Sequence, residues 1–317
     1  MLFAGLLLAG PVASFDGTRR DGRVDAASST SALIPVTPCR LVDTRPPPDG
    51  RFGFTRIDAA TIRVRAAGRC GVGESATAVA LSVVSVGSTT PGFVTVFPTG
   101  APRPLASNVN YSAGATRANA VVVGVGPGAS FDVVTTSGDL VVDITGWFSP
   151  ADRSSAGRFV ALAPRRLVDT RIPDASGGAV ASPIPAGRSV VVPLPDGVPS
   201  DALALSLNVT ITESSGPGFV TVHPAGTQRP LSSSLNLDRA GQTRAAGAIV
   251  AVSADGLAVH LSGGGHLVVD INGYITGPTA ALTDAGLFVP SNSPTRLLDT
   301  RNAGSSALAA GDVRSVA

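Results

Sequence analysis

The hexapeptide Arg-Leu-Val-Asp-Thr-Arg occupies residues 40–45 and again 166–171, and Arg-Leu-Leu-Asp-Thr-Arg occupies 296–301. Asp43 and Asp169 stand 126 residues apart, and Asp169 and Asp299 stand 130 apart. The two intervals echo each other block by block. ALSVVSV at 80–86 answers ALSLNVT at 204–210, and PGFVTVFPTG at 91–100 answers PGFVTVHPAG at 217–226. RPLASNVN at 103–110 answers RPLSSSLN at 229–236, and LVVDITGWF at 140–148 answers LVVDINGYI at 267–275. A period this long exceeds any solenoid unit and matches a small domain with its own core. The chain therefore divides into a module at 32–149, a second at 157–276 and the start of a third at 287–317. About thirty residues cannot bury a core of their own, so the third is expected to be truncated and the chain to be part of a longer repeat protein.

Inside a module the hydrophobic period is two. In residues 203–212, Leu203, Leu205, Leu207, Val209 and Ile211 alternate with Ala204, Ser206, Asn208, Thr210 and Thr212, the pattern of a half-buried strand. SADG at 253–256 is a hairpin-type turn between AIVAV and LAVHL. The chain carries 37 glycines and 25 prolines, and turn signals recur every eight to twelve residues or so. This predicts an all-β chain of tandem β-sandwich modules with about eight strands each. Small closed β-barrels are the alternative.

Residues 1–14, MLFAGLLLAGPVAS, resemble the apolar core and cleavage region of a secretory signal, with Val12 and Ser14 as the −3 and −1 positions. Residues 15–31 read as a polar linker. The segment is too short and too interrupted by Pro11 to span a bilayer. Cys39 and Cys70 are the only cysteines. In an oxidising compartment they would most simply bond to each other; two buried thiols are the alternative, and no nearby histidine suggests a metal site. A net charge of +2 with no broad cationic stripe argues against nucleic acid as a partner.

The recurring hexapeptide admits two readings. An acid beside arginines could bind an anion or a sugar. Alternatively it closes each module as a clasp, with Asp43 and Arg45 on the first strand and Asp143 on the last, and Asp169, Arg171 and Asp270 in the second copy. In a regular strand Leu41, Asp43 and Arg45 share one face. His223, His260 and His266 all lie in the second module, so they carry no function common to both. Gly-x-Ser-x-Gly, His-Glu-x-x-His and calcium-loop spacings do not occur, which predicts no catalytic residue, no metal and no cofactor. Trp147 and Tyr274 correspond across modules and, with Asn110 and Asn236, are the candidate ligand residues.

The ordered set PCRLVDTR, GRCGV, ALSVVSV, PGFVTVFPTG, RPLASNVNYSAGATRANAVVVGVG and LVVDITGWF resembles a family of repeated β-modules. These occur in large secreted and surface-attached proteins of GC-rich bacteria. The resemblance covers nearly the whole chain after the linker. It implies secretion, tandem β-rich modules and a Cys39–Cys70 disulfide, and it carries no catalytic residue. The second module departs from the pattern: Arg165 replaces the first cysteine, and the second is missing too. The expected role is a non-enzymatic extracellular spacer, adhesive or surface-structure component. The rival is a carbohydrate- or cell-wall-binding module that targets an attached enzyme. The expected partners are cell-wall or extracellular polysaccharide, or neighbouring copies of the chain, with no membrane contact after signal removal.

Overall fold

A computed structural model describes residues 30–45, 53–173, 181–291, 297–301 and 307–315. The signal-like segment at 1–14 and all of the linker before Thr30 lie outside the described residues. Seventeen strands and no helix occur among those described. The first module contains β1 (Ser31–Asp43), β2 (Thr55–Arg56), β3 (Thr61–Arg65), β4 (Ala78–Val86), β5 (Gly92–Pro98), β6 (Val109–Tyr111), β7 (Arg117–Gly124), β8 (Ser130–Thr135) and β9 (Asp139–Pro150). The second contains β10 (Phe159–Asp169), β11 (Arg188–Val192), β12 (Ala204–Thr212), β13 (Gly218–Pro224), β14 (Leu235–Leu237), β15 (Arg244–Ala251), β16 (Leu257–Leu261) and β17 (His266–Ile275).

Each module is two antiparallel sheets face to face, and none of the four closes into a barrel. In the first module β1-β9-β4-β7 packs on β2-β3-β8-β5-β6; in the second, β10-β17-β12-β15 packs on β11-β16-β13-β14. The chain's first strand in each module pairs with its last, β1 with β9 and β10 with β17. The alternation legible at 203–212 is realised in β12, where Leu205, Leu207, Val209 and Ile211 are at most 1% exposed. They meet Val220, Val222, Leu257 and Val259 from the facing sheet. In the first module Val79, Leu81 and Val83 hold the same places against Val94, Val96, Phe131 and Val133. Burying one such aliphatic side chain contributes about 1.5–3 kcal/mol, so the alternating faces are what drive each sandwich together.

The predicted SADG turn is a hairpin. Ser253 and Gly256 exchange backbone hydrogen bonds of 3.2 and 3.0 Å. Gly256 has φ +91°, and a Cβ there would collide with the Val192 carbonyl. Only glycine satisfies both demands.

Two features depart from a regular strand. The pairing of β1 with β9 slips between Pro35 and Cys39, and again between Arg40 and Val42. The second bulge lets consecutive Leu41 and Val42 both be fully buried. It also breaks the expected face-sharing of Leu41 with Asp43, and places Arg40 and Asp43 side by side instead. The same bulge recurs between Arg166 and Val168. Secondly, β4 is buried on both faces along its first eight residues, whereas β12 alternates. The difference arises because the second module covers the outer face of the first module's β1-β9-β4-β7 sheet.

That contact is specific. Arg40 Nη2 donates to the Leu231 carbonyl at 3.0 Å, and Ser82 Oγ to the Ser233 carbonyl at 2.9 Å. Asp238 accepts from the Thr116 amide at 3.0 Å and from Arg117 Nη1 at 2.5 Å. A small apolar cluster of Leu33, Ala78, Ala80, Phe148, Ala204 and Ile275 fills the junction, with Ile249 and Phe288 packed against it.

Candidate functional site

The hexapeptide builds its site at the end of β1. Because of the bulge, Arg40 points across to β9, where its register partner is Asp143. Arg40 Nε donates to Asp143 Oδ1 at 2.5 Å, and Arg40 Nη1 to Asp43 Oδ2 at 2.8 Å. Arg45 turns back onto Asp43, with Nε to Oδ1 at 2.8 Å and Nη2 to Oδ2 at 2.5 Å. Thr44 closes the arrangement: its amide donates to the Leu140 carbonyl, its hydroxyl to Asp139, and it accepts from the Leu140 amide. The cross-strand role expected of Arg45 therefore falls to Arg40, which sequence reasoning did not single out. Its signal was present, since arginine opens all three copies of the hexapeptide.

The second module repeats the arrangement with less cover. Arg166 Nε meets Asp270 at 2.6 Å and Arg166 Nη1 meets Asp169 at 2.5 Å. Arg171 forks onto Asp169 at 2.8 and 2.6 Å. In the third copy Arg301 forks onto Asp299 at 2.9 and 2.7 Å. The Asp-Thr-Arg turn forms in all three copies, whereas the Arg40–Asp143 bond joins the first and last strands of the folded module.

Burial separates these carboxylates. Arg45 holds Asp43, and Arg171 holds Asp169, below the ordinary carboxylate value of 3.8. Asp143 is 1% exposed at its side chain, and burial pushes its pKa up despite Arg40. The signs follow. Asp43 and Asp169 contribute stability that is present above about pH 4 and lost as pH falls through their lower folded values. Asp143 works oppositely, since protonation relieves its desolvation as pH falls towards 3.8. Asp132, held low by Arg63 and Thr99 against its burial, and Asp238, held low by Arg117, join the first group. The thermal midpoint is expected to be level at neutral pH and to drop below about pH 4. A pH series of melting curves checks this; a midpoint that rises on acidification contradicts it.

Cys39 and Cys70 form a disulfide, with Sγ–Sγ at 1.95 Å. At the matching place in the second module, Arg165 pairs in register with Ile271 as Cys39 does with Ile144. Arg165 Nη2 donates to the carbonyl of Asp196, whose Asp-Gly-Val stretch matches Cys70-Gly-Val. The covalent tie is replaced by a hydrogen bond at the same two positions.

The candidate ligand residues do not converge. Trp147 is 9% exposed and belongs to the first module's core, where its indole lies against Gly73. Tyr274 is half-buried against the second core. Asn236 lines the crevice between modules beside Arg40, Val84 and Phe219. Asn110 lies on the first module in a hollow of about 410 Å³ with Phe93, Arg103 and Leu105. The guanidinium of Arg103 stands 5.4 Å from the Phe93 ring centroid, and Arg229 stands 5.6 Å from that of Phe219. His223 is buried and bonded to the Pro224 carbonyl and Thr227; burial lowers its pKa. His260 meets Ser189, and His266 meets Thr170. No group of three metal-ligating side chains occurs among the described residues, and no helix among them is long and apolar enough to cross a membrane.

No family model and no curated protein matches the chain. Two solved structures align with it at low similarity. One is a putative secreted protein from Parabacteroides distasonis, 6% identical, with 83% of this chain and 87% of that chain covered and a TM-score of 0.15. The other is the coconut allergen cocosin, 14% identical, with 81% and 87% covered and a TM-score of 0.13. Scores this low carry no argument about fold or function.

Proposed function

We propose that the chain is a non-enzymatic extracellular module array that serves as a spacer or surface-structure component. The observation that carries this reading is where the recurring motif spends its charge. Both oxygens of Asp43 accept from arginine, Asp143 is engaged by Arg40, and Arg40 also reaches the neighbouring module. A group engaged in this way holds strands and modules together and has little capacity left for a substrate. The disulfide suits an oxidising, extracellular compartment. Direct packing of one module on the next suits a stiff spacer better than beads on a free linker.

The sugar-binding rival needs exposed aromatic faces, and Trp147 presents none. The test is retention of the full chain on peptidoglycan, cellulose and chitin. The expected result is that the protein stays in the supernatant with each. Saturable retention, released by a soluble fragment of the same polysaccharide, would replace this reading with the targeting one.

A further inference from the structure

We infer that the modules close into a three-membered ring, and that the free faces of modules one and two are docking surfaces for a third module of the same repeat. The inference deepens the proposed structural role, but it rests on a separate set of bonds.

Leu33, Phe159 and Phe288 are equivalent residues. Leu33 pairs with Phe148 and Phe159 with Ile275, and those partners occupy the same place in LVVDITGWF and LVVDINGYI. Phe159 and Phe288 follow matching Ala-Gly-x stretches, AGRFV and AGLFV. The Leu33 amide donates to the Gly157 carbonyl, the Phe159 amide to Gly286, and the Phe288 amide to Ser31, each at 2.8 Å. Each acceptor lies two residues before the next module's equivalent residue. One to two, two to three and three back to one is a closed cycle, which a linear array does not produce. Gly157 and Gly286 have φ values of +82° and +85°, and a Cβ on either would strike the backbone of Leu33 or Phe159. The joint therefore repeats in its conformation as well as in its bonds.

The side chains around this cycle show which surfaces are incomplete. Between modules one and two, Leu33 of the first is buried and Ile249 of the second partly buried in one apolar cluster at the edge of the same hollow. Their counterparts are Phe159 on module two and Val122 on module one, and these are 41% and 40% exposed where Leu33 is 2% exposed. Phe159 and Val122 line the same hollow of about 380 Å³, together with Phe148, Ile275, Leu287 and Phe288. Two unfilled halves of one established interface thus open onto one space. A single module set there would meet both, as module two meets module one. Its first residues are already in place, with the Phe288 and Phe148 ring centroids 4.4 Å apart.

The polar positions agree. Arg166 and Asn208 stand on module two where Arg40 and Ser82 grip the neighbouring module, each beside its Asp270 or Asp143. Arg166 is 45% exposed at its side chain against 15% for Arg40. On module one, Phe93, Arg103 and Asn110 line an open hollow, whereas Phe219 and Asn236 at the corresponding places line the crevice against Arg40.

The experiment extends the chain after Arg301 with a second copy of residues 172–276 and measures small-angle scattering. Closure predicts a radius of gyration of about 24 Å, against roughly 30 Å or more for three modules in line. Val122→Glu should open the extended protein, yet move the melting midpoint of the 317-residue chain little, because that side chain is 40% exposed on an outer face there. An extended profile without these substitutions overturns the ring. So does concentration-dependent dimerisation of the 317-residue chain that Val122→Glu abolishes, since a second copy would then be the occupant. Should the graft fail to fold, amide exchange on the 317-residue chain decides. The amides of Leu33, Phe159 and Phe288 must be protected together, and exchange at Phe288 as fast as in an unstructured peptide refutes the cycle.

Discussion

Replacing Arg40 with alanine is expected to cost the first module about 3–5 kcal/mol, because it leaves the buried Asp143 carboxylate without its cation. The same substitution at Arg166 is expected to cost under about 1 kcal/mol, because Asp270 is 27% exposed and Arg166 45% exposed, so water replaces the lost partner. The two arginines occupy the same place in the same motif. The difference between them measures burial, which the second module confers on the first by covering its sheet. The Arg40→Ala loss should also depend on pH. With Arg40 gone, the folded pKa of Asp143 rises further, so stability falls as pH rises through that value, and the deficit is larger at pH 7 than near pH 4 or so. Adding Asp143→Asn to Arg40→Ala should recover part of the loss, since a neutral amide has a smaller desolvation penalty. Denaturation followed through Trp147, the only tryptophan, reports the first module, and amide exchange reports both. Equal losses at Arg40 and Arg166 would show that the motif acts locally and that the cross-strand bond is unimportant.

Reduction, or Cys39→Ser with Cys70→Ser, is expected to destabilise the first module by about 4 kcal/mol, from the entropy that a loop of this size regains when unfolded. The bond joins residues 31 apart in sequence. It ties β1, beside the pairing with Ile144, to the turn that precedes β4. Under the same reductant the second module should keep its own midpoint, because Arg165 and Asp196 hold the matching positions with a hydrogen bond. Module-resolved exchange with and without reductant distinguishes the cases. A matching fall in both modules would mean that they unfold as one unit, coupled through the interface between them.

The strand alternation and the hairpin turn were legible because both are local. Leu205, Leu207, Val209 and Ile211 alternate in the sequence and lie at one face in the structure. Ser253-Ala-Asp-Gly256 reads as a hairpin turn and forms one. The Asp-Thr-Arg turn forms at Asp299 with the same arginine fork as at Asp43 and Asp169. The bulge at Leu41 was not legible. A period-two reading assigns alternate residues to opposite faces and sets Arg45 on the face of Asp43, whereas one inserted residue at the bulge brings Arg40 there. Trp147 illustrates a second limit. An aromatic after a glycine near a strand end suits a core plug before a sugar platform, and the burial of Trp147, with Gly73 beneath its indole, places it in the core.

By itself, then, the sequence determined that this chain makes β-sheets and which residues of its regular strands, such as 205–211, face the core, since these follow from side-chain periodicity and turn chemistry over a few residues. The tertiary structure alone decided which arginine crosses to the last strand, which of two equivalent carboxylates is buried, and which backbone groups join the first module to the second. Those outcomes depend on register and on cover from residues over a hundred positions away, and electrostatic energy changes with burial far more than with residue type.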